Sequence, residues 1–176
     1  MRALVIGAGG VGSAIANIAS RKPFITELVI ADYDLARANA VASKIQDPRI
    51  TSVEVDAGDL VALEGLIRKI APDVVVNAVD PRFVMNIFNA AKNAGVNYID
   101  MAMSLSTAHP TDPYNKVGVM LGDEQFAQAA EWEKSGKYAL VGIGIEPGMS
   151  DIFARYAQDY LFSTIDAVTI LDGSNL

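Results

Sequence analysis

The chain has no cysteine, which excludes disulfides, thiol nucleophiles and cysteine-held zinc together. It has one histidine, His109, so a histidine-rich metal centre is excluded as well. No stretch approaches the roughly 18 consecutive apolar residues that a membrane-spanning helix needs. No cluster of basic residues stands out. Fourteen Lys and Arg face 21 Asp and Glu, a formal net charge of −7, and nucleic acid is not an expected partner. Hydrophobic residues make up 51% and charged ones only 20%, so the chain folds rather than remaining disordered. Its 176 residues can bury one sizeable core with a small remainder. The expected compartment is the cytoplasm, with neither a membrane partner nor a metal.

What is present is concentrated at the start. Residues 2–12 read RALVIGAGGVG, a short apolar strand running into Gly7-Ala8-Gly9-Gly10-Val11-Gly12. This is the GxGxxG pattern, with a helix from Gly10 to Arg21 opening inside it. A second apolar run, Leu28 to Ala31, ends in Asp32, 20 residues after Gly12. Each piece has a chemical reason. Gly7 permits the tight turn, Gly9 lets backbone approach a pyrophosphate, and Gly12 lets helix and strand pack closely. The helix N-terminus offers free N–H groups and partial positive charge to the phosphates, with Gly10 and Val11 in its first turn. Asp32 can accept both hydroxyls of an adenosine ribose. Arg2, the apolar run and Ala14-Ile15-Ala16 superficially resemble a secretory signal with its cleavage site. Four glycines within residues 7–12 make a poor apolar helix, and the glycine-loop reading is preferred.

Short apolar runs then alternate with helical patterns. The spacing predicts helices at Asp34–Gln46, after Asp59, at Arg82–Ala94, at Asp123–Ser135 and, capped by Ser150, at Ser150–Leu161. Strands are predicted at Ile50–Val55, Asp73–Ala78, Val96–Met101, Tyr138–Ile143 and Ile165–Leu171. The near-continuous β-branched run DVVVNA suits a parallel strand covered on both faces. The implied fold is α/β, a Rossmann-type doubly wound parallel sheet of order 3-2-1-4-5-6. Residues 102–121 form a long segment of no pattern, and such loops are commonly functional or mobile.

In an open α/β sheet the ligand lies beyond the carboxyl ends of the strands. Asp56 there is either a contact to an adenine amino group or a turn residue. Small residues at Ala78 and Val79 let a nicotinamide ribose come close to backbone. Asp100 is either a carboxylate near the reacting carbon or an anchor for the long loop. His109 is either a general acid or base or simply solvated. Gly142-Ile143-Gly144-Ile145-Glu146-Pro147-Gly148-Met149 is either a tight strand–helix turn or a hinge or substrate wall facing the cofactor loop.

These motifs together resemble the saccharopine dehydrogenase (saccharopine reductase-like) family. The resemblance rests on VIGAGGVG, DVVVNAVDP, NYIDMA and, above all, GIGIEPGMSD, where Glu146 stands in place of the family's usual Asp. It implies an NAD(P)-dependent oxidoreductase acting on the C–N bond of an amino-acid-derived amine, in lysine or saccharopine metabolism, and commonly a homodimer. It implies a dinucleotide-binding domain over residues 1–148. Residues 149–176 would then be a connecting helix and the first strand of an α+β substrate domain, most of which this chain does not contain, so that the isolated chain is expected to be inactive. Asp100 and Glu146 become candidate catalytic, substrate-side groups. The glutamate-forming reductases of the family prefer NADP. The carboxylate of Asp32 argues for NAD, because it repels a 2′-phosphate and Tyr33 offers no replacement charge. Arg37 is the one nearby basic residue and reads as a solvated position on its helix. The alternatives are a lysine ε-dehydrogenase or polyamine-forming relative and, in another class, a non-catalytic dinucleotide-sensing module.

Overall fold

The computed structural model describes residues 1–171; residues 172–176, the end of the expected second-domain segment, lie outside the described residues. Arg2–Ile6 forms β1, and from Ala3 onward its side chains are all buried, because the strand lies inside the sheet between two helical layers. Strands β2 (Glu27–Asp32) and β4 (Val74–Asn77) pair with it on either side, and all neighbours run parallel. Strands β3 (Ile50–Glu54), β5 (Asn97–Asp100) and β6 (Ala139–Leu140) complete a sheet of order β3-β2-β1-β4-β5-β6. This is the expected doubly wound α/β order, and it reverses direction at β1 and β4, where such sheets open a crevice.

Alternation along the strands sorts the core into two layers. Leu4 and Ile6 face one way with Val29, Ala31 and Val75, packing on α3 (Leu60–Ile70) and α4 (Val84–Ala94) through Leu63, Ile67, Ile87 and Phe88. Val5 faces the other way with Leu28 and Ile30, under α1 (Gly10–Ser20) and α2 (Leu35–Ile45) through Ala16 and Ala38. Alanine at those helical positions brings α1 and α2 close to the sheet. On the first face, Phe88 meets Tyr98 edge-on at 5.2 Å and Trp132 at 5.1 Å, which closes the layer beneath β5. Asp34 caps α2 by accepting from the N–H groups of Ala36 and Arg37, and Asp59 caps α3 through Ala62. Among the described residues no helix is long and apolar enough to cross a membrane.

Four expected elements differ. The pattern over Asp123–Ser135 is two short helices, α5 (Asp123–Phe126) and α6 (Ala129–Ser135), because the backbone tightens where Gln128 N–H bonds the carbonyl of Gln125. The strand expected over Tyr138–Ile143 is only Ala139–Leu140. Gly142 leaves extended backbone at φ +67° and gives its N–H to the carboxylate of Asp100 instead of to a strand. The last helix, α7 (Met149–Tyr160), starts after Gly148, not Ser150, and Asp151 accepts the Gly148 N–H at 3.0 Å. Residues 165–171 form no strand: among the described residues β6 is the edge of the sheet and none pairs with this segment. Pro81–Phe83 adds a 3₁₀ turn ahead of α4, within the expected Arg82–Ala94 helix.

The layering makes a stability contrast within one helix. Leu63 on α3 is fully buried and Val61 is 80% exposed. Leu63→Ala is expected to lower unfolding free energy by about 2–5 kcal/mol, and Val61→Ala by no more than about 0.5 kcal/mol. Urea denaturation checks both, and equal effects would show that α3 packs by another face.

Candidate dinucleotide-binding site

The turn from β1 into α1 is built on two glycines that have no space for a side chain. Gly7 sits at φ +108° with its N–H on the carbonyl of Ala31, and a Cβ there would lie 2.5 Å from the carbonyl oxygen of Ala78. A Cβ at Gly12 would overlap the carbonyl oxygen of Gly7. Gly9 and Gly10 are different: a Cβ on either would meet no protein atom within 4 Å. The space beside them is therefore left for something other than protein. No side chain caps α1 and no acid stands in its first turn, so its leading N–H groups are offered to that space. The cradle fits a pyrophosphate.

A cleft of about 470 Å³ runs from this cradle along the carboxyl ends of β1 to β4. Of the sequence-predicted residues, Gly7, Gly9, Asp32, Asp56, Ala78 and Val79 line it. A smaller recess of about 190 Å³ adjoins it and brings Val11 together with Ala78, Val79, Asp100 and Met101. Gly10 and Gly12 lie in the helix start behind the cradle. Glu146 is exposed at the tip of a turn closed where Gly144 N–H bonds the carbonyl of Pro147 and Met149 N–H bonds the carbonyl of Gly144, and it lines neither space. Asp56 also serves its turn, accepting the N–H of Gly58 at 2.7 Å. His109 accepts the N–H of Asp112 at 3.2 Å, a local bond within the long loop.

Asp32 is almost wholly buried. Its Oδ2 accepts the N–H of Ala8 at 2.8 Å and its Oδ1 that of Asp34 at 3.0 Å, so the carboxylate holds the glycine loop against the end of β2. Arg37 is exposed on its helix, as expected, but it is not without partners. Its guanidinium lies over the ring of Tyr33, 5.3 Å from the centroid, with Nη1 3.6 Å from Asp32 Oδ1. Tyr33, Arg37, Arg82 and Phe83 all line the cleft and were missed as site residues. For Arg37 a signal existed. It is the third residue of α2, where the helix field favours an acid and a capping box would place Glu or Gln.

Behind the recess the strand ends are joined by a buried polar chain. Asn77 Nδ2 donates to the Tyr98 hydroxyl at 3.0 Å, and that hydroxyl donates to Asp100 Oδ2 at 2.9 Å. Gln125 Nε2 donates to the same oxygen at 2.8 Å, and Gly142 N–H to Oδ1 at 2.7 Å. At its outer ends the chain fixes Val79, whose N–H bonds Asn77, and Ser104, whose N–H bonds Gln125. Burial raises the Asp100 carboxyl above the usual range against the opposing pull of Gly142, Gln125 and Tyr98. The Tyr98 phenol is raised by burial and by the charge of Asp100, and it stays protonated.

Comparison with known proteins agrees with this geometry. A family model described as the saccharopine dehydrogenase NADP binding domain matches residues 3–140. Carboxynorspermidine synthase of Vibrio cholerae is 29% identical over 181 aligned positions, covering 98% of this chain and 43% of that protein. Carboxyaminopropylagmatine dehydrogenase of Synechocystis is 27% identical over 171 positions, covering 97% of this chain and 41% of that protein. The chain thus spans less than half the length of these relatives. Among solved structures, the apo saccharopine dehydrogenase (L-Glu forming) of Saccharomyces cerevisiae superposes with a TM-score of 0.68 at 20% identity, over 90% of this chain and 30% of that one. An NAD binding oxidoreductase from Klebsiella pneumoniae gives 0.56 at 20% identity, over 89% of this chain and 39% of that one. The fold and an NAD(P) cofactor are shared. The family match stops before Gly142, so the GIGIEPGMSD stretch is covered only by the longer alignments to relatives.

Two measurements test the site. Gly9→Val is expected to leave the melting temperature near wild type, since a Cβ there meets no protein atom within 4 Å, and to abolish the fluorescence change on NADH titration. Gly12→Ala should instead destabilise the fold itself. Retained NADH binding in Gly9→Val would remove the phosphate cradle. The second test concerns Asp100. Because burial raises its folded value, its stabilising contribution is complete below the unfolded value of about 3.9 and is lost as pH rises through the folded one. The stability of wild type relative to Asp100→Asn should therefore fall as pH is raised from the acid side towards neutrality. A rising difference in urea titrations would show that hydrogen bonding to the carboxylate outweighs its burial.

Proposed function

The chain belongs to the saccharopine dehydrogenase family, and from that premise we propose that it binds the cofactor of an NAD(P)-dependent oxidoreductase acting at the C–N bond of an amino-acid-derived amine. The observation that carries the binding step is Gly9, whose missing Cβ leaves open a cleft that runs to Ala78 and Val79 at the sheet's switch point. A bound nicotinamide supplies or accepts the hydride, and the protein positions it and excludes water. Residues 1–148 make that binding unit. Gly7, Gly9, Gly10, Val11 and Gly12 hold the pyrophosphate by backbone N–H groups and close packing. Asp32 and Asp56 border the adenosine half, and Ala78 and Val79 lie along the nicotinamide side. Asp100 acts as a positioning residue, since its oxygens are bonded to Tyr98 of its own strand and to two other segments, at Gln125 and Gly142. Glu146, exposed on the turn before α7 and lining neither space, is a substrate-side carboxylate on the family resemblance alone.

The substrate class follows from the relatives. Relatives that align over nearly the whole chain are named for carboxynorspermidine and carboxyaminopropylagmatine, which supports a carboxylated polyamine above saccharopine or lysine. A homodimer is the assembly proposed with it, on the family resemblance.

The whole gene product, supplied with NAD or NADP, is expected to oxidise a carboxylated polyamine such as carboxynorspermidine faster than saccharopine or lysine, read as formation of reduced nicotinamide. Fastest turnover of saccharopine or lysine would return the substrate to the lysine branch. Tight dinucleotide binding with no turnover of any amine would make the protein a sensor and overturn the enzymatic reading.

A further inference from the structure

We propose that Tyr98, which lines neither the cleft nor the recess, is a positioning residue for the nicotinamide half of the cofactor. Its hydroxyl acts through Asn77 to fix the backbone of Val79, where the two spaces meet. The proposal rests on the cleft being a dinucleotide site with its nicotinamide end at Ala78 and Val79.

Packing does not account for the hydroxyl. Tyr98 is 1% exposed, its ring set edge-on to Phe88 at 5.2 Å and 6.5 Å from Trp132. A phenylalanine ring would make the same contacts and spare the cost of burying an O–H. The hydroxyl is instead engaged twice, by Asn77 at 3.0 Å and by Asp100 at 2.9 Å.

Those bonds have a fixed direction. The ionised Asp100 carboxylate only accepts, and it also takes Gln125 Nε2 and the N–H of Gly142, which hold it in place. Tyr98 therefore gives its one proton to Asp100 and turns lone pairs towards Asn77. An asparagine amide has a donor end and an acceptor end of nearly the same shape. Tyr98 decides between them: Nδ2 must face the hydroxyl, and Oδ1 then meets the Val79 N–H at 3.1 Å. Turned over, the amide would set N–H against N–H at Val79.

Val79 depends on that choice. Sheet bonding along β4 ends where the N–H of Ala78 meets the carbonyl of Ile6. The next N–H, that of Val79, is held by the Asn77 side chain and not by a strand. Ala78 and Val79 line both the cleft and the recess, so a ligand passing from one to the other runs along their backbone. The adenosine end has separate supports. Asp32 holds the N–H groups of Ala8 and Asp34, and Asp56 holds that of Gly58. A fault at Tyr98 is thus felt at one end of the dinucleotide.

The test is calorimetric titration of the 176-residue chain with NADH and with ADP, which lacks the nicotinamide half. Tyr98→Phe should weaken NADH binding about five- to tenfold, the order of one lost hydrogen bond, and leave ADP binding within about twofold. Asn77→Ala should shift the ratio in the same direction. The double variant should bind NADH no more weakly than Asn77→Ala alone, because Tyr98 acts through Asn77. A merely structural role would lower the melting temperature and leave the ratio of NADH to ADP affinity where it was. Unchanged NADH affinity in Tyr98→Phe, equal loss of both ligands, or additive losses in the double variant would each overturn the proposal and leave the dinucleotide site standing. Should Tyr98→Phe fail to fold, Asn77→Ala decides by the same ratio, and an unchanged ratio overturns the proposal. Failure of wild type to bind either ligand would remove the dinucleotide site and this proposal with it.

Discussion

The contact on which the rest depends is between the carbonyl of Gly7 and the Cα of Gly12. Because Gly12 presents only hydrogens there, α1 can begin directly against the end of β1 instead of a residue or two further out. That proximity lets Ala16 pack without exposure beneath the helix, and lets Ala38 of α2 close the same layer. It also leaves the first N–H groups of α1 facing the crevice where the sheet reverses order. Packing and binding are thus set by one absence of a side chain. The second glycine of the pair, Gly7, extends the constraint to β4, since its own missing Cβ is what keeps the Ala78 carbonyl in place. A single strand end positions the helix, the neighbouring strand and the anion cradle.

The electrostatics follow from this arrangement. A chain with a net charge of −7 gains no long-range attraction for a polyanionic ligand. The cleft itself carries Asp32, Asp56 and Asp80. Against them stand Arg37 and Arg82, each facing one of those acids: Arg37 near Asp32, and Arg82 bonded to Asp80 at 3.0 Å. Phosphate recognition must therefore come from short-range, oriented N–H groups rather than from net charge. Backbone dipoles act at contact distance and fall off within the first turn, so they are suited to a site whose surroundings are acidic.

Much of the architecture was legible in the sequence because its signals are local and periodic. The strand order was readable from alternation of apolar runs and helical stripes, and the cradle from glycine spacing that has few other physical explanations. What escaped the pattern depended on tertiary partners. Gly142 breaks β6 because Asp100, 42 residues earlier in the chain, takes its N–H. Residues 165–171 look like a strand in composition, but a strand exists only where another backbone completes its hydrogen bonds, and among the described residues none offers that pairing. Arg37 was passed over because exposure and charge are what any helix surface shows. Its clash with the helix field was the available clue, and only its distance to Asp32 and Tyr33 gave that clue a direction.

The same distinction explains the long segment after β5. Residues 102–121 lack helical or alternating pattern, yet Thr107 and Val119 pair across the segment, and Gly122 N–H just after it bonds the carbonyl of Ser104. Its base is tied to Gln125, and through Gln125 to Asp100, Tyr98 and Asn77. Four buried polar side chains from β4, β5 and α5 therefore join the backbone at Val79, on the cofactor side, to the backbone at Ser104, at the root of the loop. A buried network of this kind is costly wherever one member loses its partners, so its members are held to one arrangement. The loop's conformation is then not independent of the cleft. Asp100, at the middle of that network, also holds Gly142, so the turn bearing Glu146 starts from the same set of bonds that fixes Val79 and the root of the loop.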